Sequence, residues 1–132
     1  MKPLTIFGDI HGNLPALEAV LADMEARDLS PLYCLGDLVG YGTFPNEVIS
    51  TIRERNIPTL MGNFDQGAGN NGDDRGCAYT SKEAEALGKR SIAWSNEHTT
   101  ADNKIYLRQL TDQIPLQLDA LHVRLVHAAR GR

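Results

Sequence analysis

The stretch LTIFGDIHGN, residues 4–13, places an acid and an imidazole directly after a short apolar run. The apolar residues at 3–7 predict a buried strand. Asp9 and His11 follow between two glycines, which allow the backbone to turn sharply. The stretch therefore predicts a strand whose carboxyl end carries side chains capable of chemistry.

The first half of the chain repeats this alternation of strand and helix. Apolar residues at helical spacing predict helices at 13–27 and 45–55. Short apolar runs at 32–35 and 59–61 predict two more strands. Strands that alternate with helices in this way form a parallel sheet with right-handed crossovers.

The second half has a different pattern. Glycine and acidic residues at 62–76 predict a loop. Thr80 and Glu83 predict a capping box for a helix that ends near Glu97, and 101–110 predicts another helix. The predicted buried face of the first of these helices consists of Ala84, Leu87 and Trp94. Finally, IPLQL and LHVRLVH, separated by Asp119-Ala120, alternate apolar and polar residues and predict a hairpin.

The composition is typical of a globular domain, with 42% hydrophobic and 23% charged residues in a chain of 132. A net charge of −4 argues against a polyanion-binding surface, so sequence-specific nucleic-acid binding is not expected. The sequence has no recognisable signal peptide or membrane span, which predicts a cytoplasmic location without membrane contact. Cys34 lies in an apolar run and is expected to be a small buried hydrophobe.

Polar side chains follow each predicted strand of the sheet, and another ends the hairpin. In chain order these side chains are Asp9, His11, Asp37, Asn63, Asp65 and His127. The carboxyl ends of parallel strands lie side by side, and ligands bind there. Carboxylate, imidazole and amide oxygen suit Mn²⁺, Fe²⁺ or Zn²⁺. Each element alone is also typical of an ordinary turn, or of a core histidine at His127. Their recurrence at successive strand ends favours a metal site.

Four motifs resemble, in order, those of the calcineurin-like metallophosphoesterases: GDIHGN at 8–13, GDLVGYG at 36–42, GNFD at 62–65 and VHA at 126–128. The second motif is typical of the small bacterial phosphodiesterase-like branch. The resemblance implies an α/β fold, a two-sheet sandwich with four αββα layers, of which this chain would form the N-terminal portion. It also implies hydrolysis of a phosphorylated small molecule or a phosphodiester by a metal-activated water.

The resemblance further implies two divalent ions, with Mn²⁺ expected and Fe or Zn as alternatives. Asp9 and His11 would bind the first ion, and Asp37 would bridge both. Asn63 and His127 would bind the second. Asp37 and Asn63 would be the catalytic residues, and Asn63 would also contact the substrate.

Two departures from the family motifs concern catalysis. Gly40 and Tyr41 stand where the second motif often has Asp and Arg, and Phe64 stands where the third often has a histidine that protonates the leaving group. Losing a general acid costs on the order of 10² to 10⁴ in rate. We therefore expect weak activity, limited to acidic leaving groups. His98 is expected to be a solvated helix-end residue and not a replacement acid.

Two further departures concern the last residues. His127 is followed by AARGR where the family often has Gly-Ser-Pro, and the sequence reaches Arg132 before any Gly-His-x-His motif. Loss of one G in the coding DNA after the histidine codon is one interpretation, and truncation or processing are others. The expectation is a single incomplete domain over 1–132 that self-associates or is less stable than longer relatives.

Three classes of function remain open at this point. The first is a metal-dependent hydrolase. The second is a binding or scaffold protein with the same fold and no turnover, which Phe64 and the missing histidines favour. The third, a Rossmann-type nucleotide binder, is disfavoured because GDIHGN lacks the Gly-x-Gly-x-x-Gly pattern. The loop at 66–78 is predicted to overhang the site. Asp73, Asp74 and Arg75 would then either select substrate or form a solvated acidic surface.

Overall fold

The computed structural model describes residues 3–128 of the chain. The predicted departure at 129–132 lies outside the described residues. The elements, in order, are β1 (Thr5–Phe7), α1 (Leu14–Ala26), β2 (Leu32–Cys34), α2 (Pro45–Glu54), α3 (Asn63–Gly69), α4 (Lys82–His98), α5 (Ala101–Arg108), β3 (Gln113–Leu118) and β4 (Leu121–Val126). The expected α/β fold is confirmed.

The β1 and β2 strands pair in parallel, with Ile6 opposite Tyr33. The predicted third strand is reduced to two parallel bridges, which join Cys34 to Thr59 and Leu60 to Thr111. Pro58 shortens this pairing because it has no N–H, although its carbonyl oxygen accepts a 2.9 Å hydrogen bond from the amide of Cys34. The segments that follow β1, β2 and residue 60 therefore emerge next to one another.

An apolar core among the described residues is formed mainly by helices α1 and α2, β2 and the segment after it, with Ala68 and Leu107 added from α3 and α5. Leu17, Leu21 and Met24 recur at helical spacing and form the buried face of α1. The α1 helix begins after Asn13, whose Oδ1 accepts a hydrogen bond from the amide of Ala16 at 3.1 Å. The α2 helix contributes Val48, Ile49 and Ile52, and β2 contributes Cys34, all fully buried. Burial of Cys34 agrees with the sequence expectation.

The predicted loop at 62–76 contains a helix, α3. Three glycines within 62–69 lower its intrinsic helical propensity. Tertiary contacts compensate, because Phe64 and Ala68 are buried and the Asp65 carboxylate accepts a hydrogen bond from the amide of Gly62. The loop prediction was therefore wrong for the first half of this segment.

The N-cap of α4 is one residue later than predicted. Ser81, and not Thr80, accepts a hydrogen bond from the amide of Ala84 at 3.1 Å. The predicted buried face is wrong at Leu87, which is 63% exposed, whereas Ala84 and Trp94 are half-buried. The buried residues of this helix are Gly88, Ile92 and Ser95. The ring of Tyr79 packs where a side chain at Gly88 would lie, which turns this face of the helix inward.

The predicted hairpin has the expected turn. β3 and β4 are antiparallel, and Leu118 pairs with Leu121 across Asp119 and Ala120. Burial alternates along β3, as the sequence pattern predicts. Within the part of the chain that the structure describes, no helix is long and apolar enough to cross a bilayer.

Candidate metal centre

The segments that follow β1 and β2 continue side by side beyond the sheet. The amide of Asp9 donates to the carbonyl of Gly36 at 2.9 Å, and the amide of His11 donates to the carbonyl of Asp37 at 2.9 Å. The amide of Gly12 donates to Leu38 at 2.7 Å. These bonds bring the first two predicted ligand motifs together at one edge of the fold.

Three of the predicted ligands converge there. One ligand atom from each of Asp9, Asp37 and His127 lies within 4.8 Å of the other two. The Asp37 Oδ2 atom lies 3.4 Å from His127 Nε2 and 3.7 Å from His11 Nε2. One carboxylate oxygen therefore faces two imidazoles that come from distant parts of the chain.

Backbone carbonyls fix the proton positions on both histidines. The Nδ1 atom of His11 lies 2.9 Å from the Val39 oxygen, and Nδ1 of His127 lies 2.7 Å from the Leu35 oxygen. A carbonyl oxygen only accepts, so Nδ1 carries the donated proton in each ring. When a ring carries no second proton, its Nε2 lone pair faces the cluster, as in metal-ligating histidines.

The side-chain oxygen of Asn63 also faces the cluster. Its Nδ2 donates to the carbonyl of Arg75 at 2.6 Å, and its Oδ1 lies 3.2 Å from His127 Nε2. With the Nδ1–H form of His127, neither Oδ1 nor Nε2 offers a proton to the other. Two acceptors at this distance fit a shared cation.

A buried carboxylate that is not a predicted ligand holds this arrangement. Asp65 is fully buried and accepts hydrogen bonds from the amides of Asp37 at 2.7 Å, Leu38 at 2.8 Å and Gly62 at 2.9 Å. The sequence grouped Asp65 with the strand-end side chains but did not reveal this role. An acid at the third position of a helix after a glycine is a capping signal that could have indicated it.

Burial has the largest influence on the pKa of the carboxyl groups of Asp65 and Asp37. Burial raises the pKa of Asp65 to about 6, while the hydrogen bond from the amide of Gly62 opposes the rise. Burial likewise raises the pKa of Asp37, opposed by the amide of Phe64 and by His127. The Phe64 amide donates to Asp37 Oδ1 at 3.0 Å, which leaves Oδ2 facing the imidazoles.

The backbone at the cluster is strained. Asp9, His11 and Asp37 have φ values of 52°, 49° and 57°, in the left-handed region that most residues avoid. Such conformations persist where surrounding contacts impose them, and they concentrate at functional sites. Carboxylate, imidazole and amide donors in this arrangement fit a borderline-to-hard divalent ion.

Tyr41 and Phe64, two of the departures from the family motifs, pack together with His11 in a cluster of three rings. Phe64 is only 5% exposed and packs edge-on against His11, with ring centroids 4.8 Å apart. Its ring occupies the space that a side chain at Gly40 would need. Phe64 therefore acts as a packing residue beside the cluster and has no proton to give.

Two other residues singled out in the sequence lie in different surroundings. Arg75 is 4% exposed and donates to the carbonyl of Gly72 at 2.6 Å and to Asn96 Oδ1 at 2.8 Å, so it is a structural residue and not part of a solvated surface. His98 ends α4, is exposed and stacks on Trp94.

Comparison with known proteins identifies the family to which these motifs belong. Residues 2–127 match the family model of the calcineurin-like phosphoesterases. A protein from Methanocaldococcus jannaschii is 47% identical over 64 residues, which cover 48% of this chain and 26% of that relative. The family match includes the region of the cluster.

Solved structures share the fold. A metallophosphoesterase from Sphaerobacter thermophilus superposes with a TM-score of 0.62 and 30% identity, over 84% of this chain and 42% of that one. A hypothetical protein from Pyrococcus horikoshii OT3 gives a TM-score of 0.74 at 21% identity, over 94% of this chain and 54% of that one. The chain thus spans about half the length of these structures and about a quarter of the curated relative. Because the family model covers nearly all of its residues, the chain belongs to the calcineurin-like phosphoesterase family.

Proposed function

We propose that this chain supplies the metal site of a phosphoester hydrolase. In this proposal Asp9 and His11 hold one divalent ion, Asn63 and His127 hold a second, and Asp37 is shared between them. The observation that carries the proposal is the position of Asp37 Oδ2 between the Nε2 atoms of His127 and His11, at 3.4 and 3.7 Å. Divalent ions bound in this way acidify water and neutralise charge on the phosphoryl group.

The protein's own groups have distinct roles in this scheme. Asp37 offers Oδ2 because the amide of Phe64 engages Oδ1. Asn63 offers Oδ1 because its Nδ2 donates to Arg75, and the second N–H of the same amide is available for a substrate phosphate oxygen. Asp37 and Asn63 are therefore the proposed catalytic residues, with Asn63 also binding substrate. The mixed oxygen and nitrogen donors suit Mn²⁺, with Fe and Zn as alternatives.

The proposed substrate is a phosphorylated small molecule or a phosphodiester with an acidic leaving group. Phe64 cannot protonate a departing oxygen, so esters of poor leaving groups are expected to react slowly. Absence of membrane and nucleic-acid partners, and a cytoplasmic location, stay predictions. Self-association through exposed apolar residues such as Leu121 and Val126 is also proposed.

Manganese titration of the purified chain tests the metal site. We expect two Mn²⁺ per wild-type chain by calorimetry and slow hydrolysis of bis(4-nitrophenyl) phosphate. Asp37→Asn should lose the second ion and all turnover, because the shared oxygen is replaced by an amide. Asp119→Asn, in the hairpin turn, is the matched control and should behave as wild type. Unchanged turnover in Asp37→Asn would overturn the shared-ligand role.

The packing of Phe64 favours a second candidate, a metal-binding protein of this fold without turnover. In that case Mn²⁺ would bind with the same dependence on Asp37, and hydrolysis would be absent even with nitrophenyl leaving groups. The two assays, performed on the same samples, separate the candidates.

A further inference from the structure

A cleft of about 400 Å³ opens beside the metal cluster. Asp9, His11, Tyr41 and Phe44 are among the residues that line it, and the rings of His11 and Tyr41 are in contact. This volume is in the range of small-molecule sites. The aromatic residues lie next to the predicted ligands of the first ion. A chemical group bound against them would therefore be part of the same molecule that binds at the metal site.

Both aromatic side chains are unusually exposed. Tyr41 is 55% exposed and Phe44 is 42% exposed. A single exposed aromatic residue on a protein surface needs no special explanation. Two that share one cleft with candidate metal ligands provide apolar faces where a ligand would lie.

Tyr41 is held in a fixed orientation. Its φ is 59°, and its amide donates to Ser91 Oγ at 3.0 Å. Its ring packs edge-on against His11 and tilted against Phe64, with both centroid distances 5.0 Å. The ring is therefore preorganised, which lowers the entropic cost of stacking a ligand on it.

The segment that carries both aromatic residues is fastened to the first ligand motif. The amide of Gly42 donates to the carbonyl of His11 at 2.7 Å, and the amide of Phe44 donates to that of Gly12 at 3.1 Å. A Cβ on Gly12 would come within 2.7 Å of the Gly42 oxygen, so the two segments touch through backbone alone. The aromatic wall and the metal cluster consequently form one rigid unit.

We propose that Tyr41 and Phe44 receive an aromatic group of the substrate, a nucleobase or an aryl ring, while its phosphate lies beside Asp9 and His11. The position of the phosphate rests on the proposed function, whereas the stacking surface does not. Tyr41 is thus a specificity-determining residue at the position where the family motif often has arginine. The preferred substrates are phosphoesters that carry an aromatic ring.

Ligand affinities measured by isothermal titration calorimetry in Mn²⁺ test this. Wild type should bind AMP about ten-fold more tightly than ribose 5-phosphate, as expected for one stacked base. Phenyl phosphate against methyl phosphate distinguishes a general aryl site from a nucleobase site. Tyr41→Leu should reduce the AMP preference to near one, and Tyr41→Phe should keep it. Leu87→Ala, at an exposed residue of α4 outside the cleft, should keep the wild-type ratio.

Adenosine separates failure of this inference from failure of the proposed function. If ribose 5-phosphate does not bind, the phosphate site is wrong, and adenosine binding that weakens in Tyr41→Leu still supports the aromatic site. Wild-type ratios near one for both AMP and phenyl phosphate, or ratios unchanged in both Tyr41→Leu and Phe44→Ser, would overturn it. Urea unfolding of each variant verifies that it is folded.

Discussion

The loops after β1 and β2 differ from the β3–β4 hairpin in what determines their conformation. In the hairpin, six residue pairs follow one register and a positive φ occurs at the turn residue Asp119. In the loops, Asp9, His11 and Asp37 all adopt positive φ, and their amides bond to a distant segment or, for Asp37, to a buried carboxylate. The hairpin is therefore encoded locally, whereas the loops depend on tertiary contacts.

The difference predicts unequal sensitivity to the same chemical change. Asp65→Asn should lower the free energy of unfolding by about 3 kcal/mol, because an amide has one acceptor oxygen for three buried backbone donors. Asp119→Asn in the hairpin turn should change it by less than about 0.5 kcal/mol, since asparagine tolerates the same positive φ. Urea unfolding of both variants measures the contrast. Equal effects would show that Asp65 does not support the loops.

A smaller loss is expected at Gly62. A Cβ at this position would overlap the Asp37 carboxylate and approach the Asp37 amide nitrogen to 2.6 Å. Gly62→Ala should therefore cost about 1–3 kcal/mol and weaken Mn²⁺ binding about 10-fold or more. Gly72→Ala is the matched control, because the nearest atom to its Cβ would be 3.6 Å away. Calorimetric affinities for both variants that match wild type would contradict the close packing around Asp37.

The next largest effect on the free energy of unfolding is expected at alkaline pH, from Cys34 at the end of β2. Burial raises the pKa of Cys34 from 9.0 to about 12, so the native thiol keeps a proton that the unfolded chain releases above pH 9. Stability from this group is complete below pH 9 and falls by about 1.4 kcal/mol per pH unit up to pH 12. Urea midpoints measured between pH 8 and pH 10.5 should therefore decrease more steeply for wild type than for Cys34→Ala. Parallel decreases would exclude Cys34 as the cause.

The smallest effect on stability is expected in the hairpin. Leu121 is 64% exposed, so Leu121→Lys should change the free energy of unfolding by less than about 0.5 kcal/mol. A lysine on an edge strand opposes pairing with a second chain. Sedimentation velocity should therefore show less self-association than in wild type. A monomeric wild type at all concentrations would make the self-association proposal wrong.

The contrast between local and tertiary determinants explains which features could be predicted from the sequence. The β3–β4 hairpin and helices α1 and α2 follow from local patterns, and their bounds agree closely with expectation. The predicted ligands Asp9, Asp37 and His127 come together, as expected from motifs at strand ends. Whether these residues bind metal stays a prediction.

The remainder depends on long-range contacts that local patterns do not contain. The glycine-rich segment of α3 is helical because Phe64, Asp65 and Ala68 are buried. The α4 face is set by Tyr79 packing at Gly88, and not by the periodicity of Leu87 and its neighbours. Similarly, an acidic side chain such as Asp65 looks like a ligand in the sequence, and only its three backbone donors reveal a supporting role.

The contact between Gly40 and Phe64 makes these two positions epistatic. Gly40 has a φ of 97°, and a Cβ there would overlap the Phe64 ring. An aspartate introduced first at position 40 would meet both a steric and a backbone penalty. A histidine introduced first at position 64 would stand beside Gly40, which has no side chain to contact it. Each single replacement should therefore gain little rate, and their effects should not add. A change from this motif form to the other is therefore expected to need both substitutions together.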